Sequence, residues 1–236
     1  CLLFSLIFAL STAAQSPYAF SLKKELPIIS LGLGTGGIGA LLRANTEGLT
    51  LPELEQLDPL NISTFDRFAT ENLSLSAQNA SDVFFYCSHV LPLTLLAGQR
   101  VRQDRWRGPL MWLEGYLVNA GITGLIKYTV KRPRPFAFNA QESLELRQSR
   151  DARTAMLSGH TSVTAYNTFF TAQVFSDYYP NSRAKPWIWI GAAVLPAITG
   201  YLRVKGGRHY PTDVIAGYAL GALTGILVPR LHRKRN

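Results

Sequence analysis

The sequence predicts an all-α protein, a polytopic membrane helical bundle of about six transmembrane helices. Three observations carry that expectation. Hydrophobic residues make up 47% of the chain and charged residues only 17%, and the apolar ones fall in blocks. Six such blocks occur. Tryptophans and basic residues collect at the block ends and between them, as interface anchors and juxtamembrane charges do. Most blocks are 15 to 18 residues long, short of the roughly 20 that a clean span needs. Any one alone would fit a buried helix of a soluble protein; six together favour the membrane.

Residues 1–25 read as a lead-in. Leu2 to Leu10 is apolar and is followed by Ser-Thr-Ala-Ala-Gln, the pattern of a signal-peptide remnant or of an approach to the first span. Residues 26–236 read as a single membrane domain. Leu26 to Leu42 is uncharged and holds Gly32, Gly34, Gly36, Gly37 and Gly39, which suits close helix packing. Gly34-x-Gly36-x-x-Gly39 also matches a dinucleotide fingerprint, but no βαβ context surrounds it. Residues 43–82 are polar, with Pro52 and Pro59, and predict a surface segment with short helices. Val83–Gly98 is the second span, with His89 as a packed histidine; Leu110–Ile126 is the third, carrying Glu114 and Asn119. Residues 131–157 are polar. Gly159 to Phe175, Trp187 to Leu202 and Val214 to Val228 complete the six.

The net charge is +9, which suits nucleic acid, anionic lipid or an anionic substrate. Blocky hydrophobicity argues against nucleic acid. Cys1 and Cys87 give neither a disulfide framework nor metal-ligand spacing. Alternation places segments 99–109, 176–186 and the C-terminus on one side. Their arginines and lysines make that side cytoplasmic by the positive-inside rule, and Lys23 and Lys24 agree with six spans. A cleaved signal peptide would instead make Leu26 to Leu42 re-entrant or peripheral. The opposite side, with 43–82, 127–158 and 203–213, is also basic, and an anionic ligand would account for that.

Three polar clusters share this second face: Lys127 to Pro135, Leu157 to His160, and Arg203 to Asp213. Lys127, Arg134 and Arg203 can surround a phosphate and stabilise charge on its oxygens. Ser158 and Gly159 open a helix whose free N–H groups favour an anion. His209 and Asp213 are four apart, which in a first helical turn puts them on one face. A carboxylate that fixes the tautomer would leave the other ring nitrogen as a nucleophile. His160 could then protonate the leaving alkoxide and activate water. No cluster of acidic residues at metal-ligand spacing accompanies them, so no metal is expected. Each cluster alone has an ordinary reading as lipid-facing basics, a helix start or a helix cap. Their joint appearance on one face favours chemistry.

The pattern resembles the type 2 phosphatidic acid phosphatase family, which includes bacterial acid phosphatases and vanadium-dependent haloperoxidases. The family's Lys-x6-Arg-Pro is matched by Lys127, Arg134 and Pro135. Its Pro-Ser-Gly-His is matched by Ser158, Gly159 and His160. Its Ser-Arg-x5-His-x3-Asp is matched by Arg203, His209 and Asp213. Leu157 stands in place of Pro and Leu202 in place of Ser, and the second change bears on how Arg203 is held. The resemblance implies a helical bundle in the bacterial cytoplasmic membrane, multi-pass, with a metal- and cofactor-independent site on the outer, periplasmic face. It implies His209 as nucleophile, His160 as acid and Asp213 as orienting carboxylate. Lys127, Arg134, Ser158, Gly159 and Arg203 would bind phosphate. The expected substrate is a lipid phosphomonoester or pyrophosphate, with membrane lipids as the other partners and no protein partner. Residues Phe136 to Arg153 and 43–82 are expected to shape substrate access. Two alternatives stay open: a vanadate-dependent haloperoxidase-like enzyme, and a non-catalytic lipid-binding membrane protein.

Overall fold

A computed structural model describes residues 16–234. The apolar stretch from Leu2 to Leu10 and the small residues after it lie outside the described residues. Six long helices form the bundle: α1 (Leu22–Ala44), α2 (Leu75–Ser88), α3 (Arg107–Val130), α4 (Gly159–Tyr178), α5 (Lys185–Lys205) and α6 (Pro211–His232). The described residues contain no β-strand beyond an isolated bridge between Tyr18 and Arg233. Gly34, Gly36 and Gly39 sit within α1, so the dinucleotide pattern has no strand to follow.

Local chemistry sets the helix starts. Ser74 and Ser158 each accept a hydrogen bond from the backbone N–H three residues on, which caps α2 and α4. Pro186 and Pro211 stand in the first turns of α5 and α6, where a missing N–H is tolerated. Most of the helices exceed the apolar runs within them because polar residues at their ends are helical too. The second span begins earlier than its apolar run: α2 opens at Leu75, and short turns carry the chain on to Ala97. Two polar residues of that first part, Gln78 and Ser81, are buried and satisfied. Gln78 Nε2 donates to Gly206 O at 2.8 Å, and Ser81 Oγ to Gln78 O at 2.6 Å. His89 packs beside Phe85 and Tyr116.

Four stretches are long and apolar enough to cross a membrane: Leu22–Ala44, Leu75–Ala97, Lys185–Lys205 and Pro211–His232. Large apolar side chains such as Leu33, Leu41, Trp187, Ile190, Ile215 and Leu223 project outward from these helices, a surface suited to lipid. The two more polar long helices, α3 and α4, lie against their neighbours. Every residue from Thr161 to Phe170 is buried. Their polar groups bond between helices: Ser162 Oγ to Asn119 Oδ1 at 2.8 Å, Trp112 Nε1 to Asn167 Oδ1 at 2.8 Å, and Thr168 Oγ1 to Ala192 O at 3.0 Å. A helix screened from lipid can carry such groups when each finds a partner.

Glycine permits the closest approach. Gly217, Gly221 and Gly225 recur every fourth residue along α6, and a Cβ on each would collide with a backbone oxygen of Ser158, Ser162 or Tyr166 in α4. Gly32 and Gly39 meet the α3 backbone in the same way.

The segments between helices are more than surface. In 43–74, Leu49, Leu54, Asp66 and Ala69 are buried, and short helices run over Leu51–Glu55 and Thr64–Arg67. Phe136 and Ala137 are fully buried with Leu49, Leu54 and Ala152. Phe136 N donates to Gly207 O at 2.9 Å. Within the Phe136 to Arg153 stretch expected to shape substrate access, Phe136 is therefore an exception: it is buried and anchors the 206–210 turn. At the opposite end, Arg100 donates to Tyr178 O and Arg233 pairs with Asp177. The two ends of the bundle are thus assembled as alternation requires.

The glycine contacts predict a contrast. Gly221→Leu should lower the thermal unfolding midpoint of detergent-purified protein by several degrees, because overpacking costs about 1–3 kcal/mol or more. Gly37→Ala, where a Cβ meets nothing within 4 Å, should leave it unchanged or slightly raised.

Candidate active site

One end of the bundle brings all eight expected residues to the same region. Lys127 lies in the last turn of α3, Ser158 caps α4, and Gly159 and His160 open it. Arg203 lies in the last turn of α5. His209 is in the turn that follows, and Asp213 is in the first turn of α6. Gly207, at φ +69°, turns the chain between α5 and α6, and its Cα faces Asn72 O so closely that a Cβ would collide. Only glycine meets both demands.

His209 is 1% exposed. Its Nδ1 lies 2.7 Å from Ala155 O. A carbonyl oxygen only accepts, so Nδ1 carries the hydrogen and Nε2 keeps its lone pair. Arg134 Nη1 is 3.4 Å from that Nε2. Burial, and then the cations of Arg134, Lys127 and Arg203, push the ring's pKa well below the usual histidine range. The ring is thus neutral and its free nitrogen faces the cations.

Asp213 differs from expectation. His209 precedes the α6 helix rather than lying in its first turn, and Asp213 Oδ2 stands 3.7 Å from Nδ1. The hydrogen bond that fixes the tautomer goes to the Ala155 carbonyl instead. Asp213 is fully buried and accepts from Tyr210 N at 2.9 Å and from Arg132 Nη1 at 2.7 Å. Its own backbone oxygen accepts from Ser158 N at 3.0 Å. It joins the second and third clusters and contributes charge to the ring across a short gap.

The three cations are held by backbone and carboxylate. Lys127 Nζ donates to Thr154 O at 2.8 Å. Arg134 Nη2 donates to Asp151 Oδ1 at 2.7 Å and Nε to Asp151 O at 3.0 Å. Burial opposes ionisation of Asp151, but Arg134 and Lys127 outweigh it and hold the carboxyl below its usual range. Arg203 Nη1 reaches Ser81 Oγ at 3.2 Å and Asp82 Oδ1 at 3.4 Å, and its buried Nε has no partner. The hydroxyl that Leu202 lacks is matched here by Ser81 of α2. Ser158 Oγ accepts from Thr161 N at 3.4 Å and lies 2.9 Å from Thr161 Oγ1, so it caps the helix. A Cβ at Gly159 would lie 3.7 Å from Lys127 Cε, which places the opening of α4 against the lysine stem.

Sequence reasoning missed four residues. His160 Nε2 is 2.9 Å from Asp82 Oδ1, so Asp82 touches both this histidine and Arg203. Asp151 holds Arg134. Arg132 bridges Asp66 Oδ2 at 2.8 Å and Asp213 Oδ1 at 2.7 Å while lying 3.9 Å over the Tyr210 ring. Burial works against the Asp66 charge, yet hydrogen bonds from Arg132 and Thr212 hold its pKa below the usual range. Arg132 could have been found in the sequence as a second cation inside the first motif. Asp66 and Asp82 lie in stretches with no motif, and only the fold brings them in.

Comparison with known proteins identifies the family. The PAP2 superfamily model matches residues 109–236. Over 151 residues the chain is 30% identical to phosphatidylglycerophosphatase B of Bacillus subtilis, covering 62% of this chain and 70% of that protein. It is 32% identical over 117 residues to a lipid A 1-phosphatase of Porphyromonas gingivalis and 33% over 123 residues to one of Rhizobium johnstonii. Those matches cover 50% and 49% of this chain but only 21% and 46% of the relatives. The crystal structure of a transmembrane PAP2-type phosphatidylglycerolphosphate phosphatase from Bacillus subtilis superposes with a TM-score of 0.53 at 22% identity. It covers 84% of this chain and 94% of that one, a likeness of fold. With the family model covering more than half of its length, this chain is a member of the PAP2 superfamily, an integral-membrane helical bundle.

Proposed function

We propose that the chain is a lipid phosphate phosphatase that works through a phosphohistidine on His209, without a catalytic metal. The observation that carries this reading is the neutral, buried His209, whose Nε2 carries no hydrogen and faces Arg134, with three cations around the ring. Lys127, Arg134 and Arg203 with the α4 N-terminus bind the phosphate oxygens. The unpartnered Arg203 Nε is a donor ready for one of them. Nε2 attacks phosphorus as the bond to the lipid oxygen breaks, and His160 gives that oxygen its proton. His160 then takes a proton from water, whose oxygen displaces Nε2 and releases inorganic phosphate. Cations already in place lower the barrier because they need no reorganisation as charge develops. Asp213 supports the charge that His209 gains.

The substrate class is a phosphomonoester or pyrophosphate of a membrane lipid. The relatives' names point to phosphatidylglycerophosphate and lipid A 1-phosphate as the first two to try. All six long helices span the cytoplasmic membrane in this reading, with residues 26–236 acting as one domain. The arginine-rich segment 99–109 and the C-terminus then face the cytoplasm, which puts His209 at the outer face.

The first test is phosphate release by detergent-purified protein from a panel of lipid phosphates in EDTA. Release should survive EDTA and fall to background in His209→Ala. Release that persists in the variant would end the histidine mechanism. In kcat/KM, which reports the phosphorylation step and not the later attack of water, His160→Asn should lose about 10²–10⁴-fold on a lipid alkoxide leaving group and much less on p-nitrophenyl phosphate, whose leaving group needs no proton.

The pH profile follows from the direction of the His209 shift. A nucleophile must be unprotonated, so the acidic limb of kcat/KM should lie well below the ordinary histidine value of 6.5. Arg134→Ala removes a cation that holds the ring neutral, and should move that limb to higher pH as well as weakening binding.

Asp66→Asn should lower kcat/KM through the Arg132–Asp213 link alone. A hydrogen bond to a charged group is worth about 1.5–3 kcal/mol, so the loss should be roughly tenfold to a hundredfold. Full activity in that variant would show the bridge to be structural.

A further inference from the structure

At the end of the bundle away from His209, a second cluster holds two buried titratable side chains and one half-buried. Glu25 is in the first turn of α1, Glu114 is in α3, and His232 is the last residue of α6. The strap before α1 closes over them. Ala19 N donates to His232 O at 2.8 Å, Lys234 N donates to Pro17 O at 2.9 Å, and the Phe20 ring lies 4.8 Å from that of His232. His232 is fully buried, and Glu114 is 7% exposed.

With both glutamates ionised, the hydrogen-bond inventory of this cluster does not close. His232 Nδ1 is 2.7 Å from Val228 O, which only accepts, so Nδ1 carries a hydrogen. Nε2 then faces Glu25 Oε2 at 2.7 Å and Glu114 Oε2 at 3.1 Å. With a neutral ring and both carboxyls ionised, three lone-pair atoms converge and no donor stands among them. A proton on Nε2 is directed at one carboxylate, and Glu114 Oε2 is buried without a hydrogen-bond partner. Among the described ion pairs, neither glutamate meets a lysine or arginine. Arg230 bonds Gln173 and Arg233 pairs with Asp177 instead.

A single divalent cation would satisfy all three atoms and balance both carboxylates. One ligand atom from each residue lies within 4.8 Å of the other two. Zinc bonds of about 2.0–2.2 Å in a tetrahedral set require ligand atoms about 3.3–3.6 Å apart, so the cluster need open by less than 1 Å. One imidazole and two carboxylates suit zinc or manganese better than calcium or magnesium, which favour all-oxygen sets. From Asp213 to His232 the helix rises about 28 Å, too far for this cation to touch a phosphate at His209. We propose that Glu25, Glu114 and His232 form a structural divalent-cation site that ties the first and last long helices to α3. The site is independent of the phosphatase reading and does not alter the EDTA test, which measures initial rates rather than stability.

The experiment uses full-length, tag-free protein in detergent, stripped with EDTA and then desalted. Zinc and manganese chloride are titrated separately, with bound metal counted by mass spectrometry after gel filtration and unfolding followed by heat. Wild type should bind about one equivalent and unfold several degrees higher with metal. Glu114→Gln, which keeps shape and supplies a donor to Nε2, should fold yet bind roughly tenfold or more weakly. Glu25→Gln should do the same, while His209→Ala should bind like wild type. Equal binding by Glu114→Gln and wild type, or no bound metal with either ion, would overturn the site and leave a buried imidazolium–carboxylate cluster.

Discussion

The active end of this bundle depends on one arginine. Arg132 lies just past α3, pairs with Asp66 and Asp213 at once, and stacks on Tyr210. Those partners come from three places: the 43–74 segment, the turn before α6, and α6 itself. The guanidinium's planar fork reaches two carboxylates in a fixed geometry, which a lysine could not do. Asp66 and Asp213 are nearly or fully buried, and two buried carboxylates with nothing between them would repel. Removing one partner from a buried ionic set typically costs about 3–5 kcal/mol, so the bridge is also a constraint. It fixes where α6 starts, and through the Asp213 carbonyl it fixes Ser158 N, where α4 starts.

His209 is positioned as a consequence. The Ala155 carbonyl that sets its tautomer belongs to a loop whose Ala155 N donates to Arg132 O at 3.0 Å. The same residue that aligns Asp213 by its side chain therefore aligns the Ala155 carbonyl by its backbone. Cations then surround the ring without a hydrogen bond to Nδ1, so the ring can stay neutral with Nε2 outward. The carboxylates of Asp151 and Asp82 hold Arg134 and Arg203 in the meantime. Both are about half exposed at the side chain, so they can yield to an anion more easily than the buried Asp66 or Asp213.

Much of this was legible in the sequence. The six helices follow from apolar blocks, and the three motifs follow from residue types that have no reason to be apolar-flanked unless they meet an anion. What stayed hidden was everything joined across long sequence gaps. Asp82 and His160 are 78 residues apart, and no local pattern marks Asp82 as more than a polar residue midway along α2. The Asp213 contact was misassigned for a physical reason. Spacing of four implies one helical face only if both residues are helical, and Pro211 starts the helix after His209. That Phe136 is core rather than substrate-facing was hidden because the residues that bury it, Leu49 and Leu54, lie more than 80 residues earlier in the chain. The broken second span was misread because hydropathy cannot see that Gln78 and Ser81 are satisfied inside the protein.

The glycine ladder gives these polar contacts their setting. Lipid offers no hydrophobic drive to press one helix against another, so the polar α4 must be held by close backbone contact and by hydrogen bonds. Gly217, Gly221 and Gly225 bring α6 against the α4 backbone along the length of their contact, and the first of them faces Ser158. Because that seam begins at the cap of α4, the spacing between His160 on α4 and His209 just before α6 is set by backbone contact rather than by flexible side chains. His160, in the first turn of α4, and His209, two residues before α6, are thus held at a separation with little freedom to change. The proposed two-step phosphoryl transfer would draw on that rigidity, since in it the same histidine serves the leaving oxygen and then the water from one position.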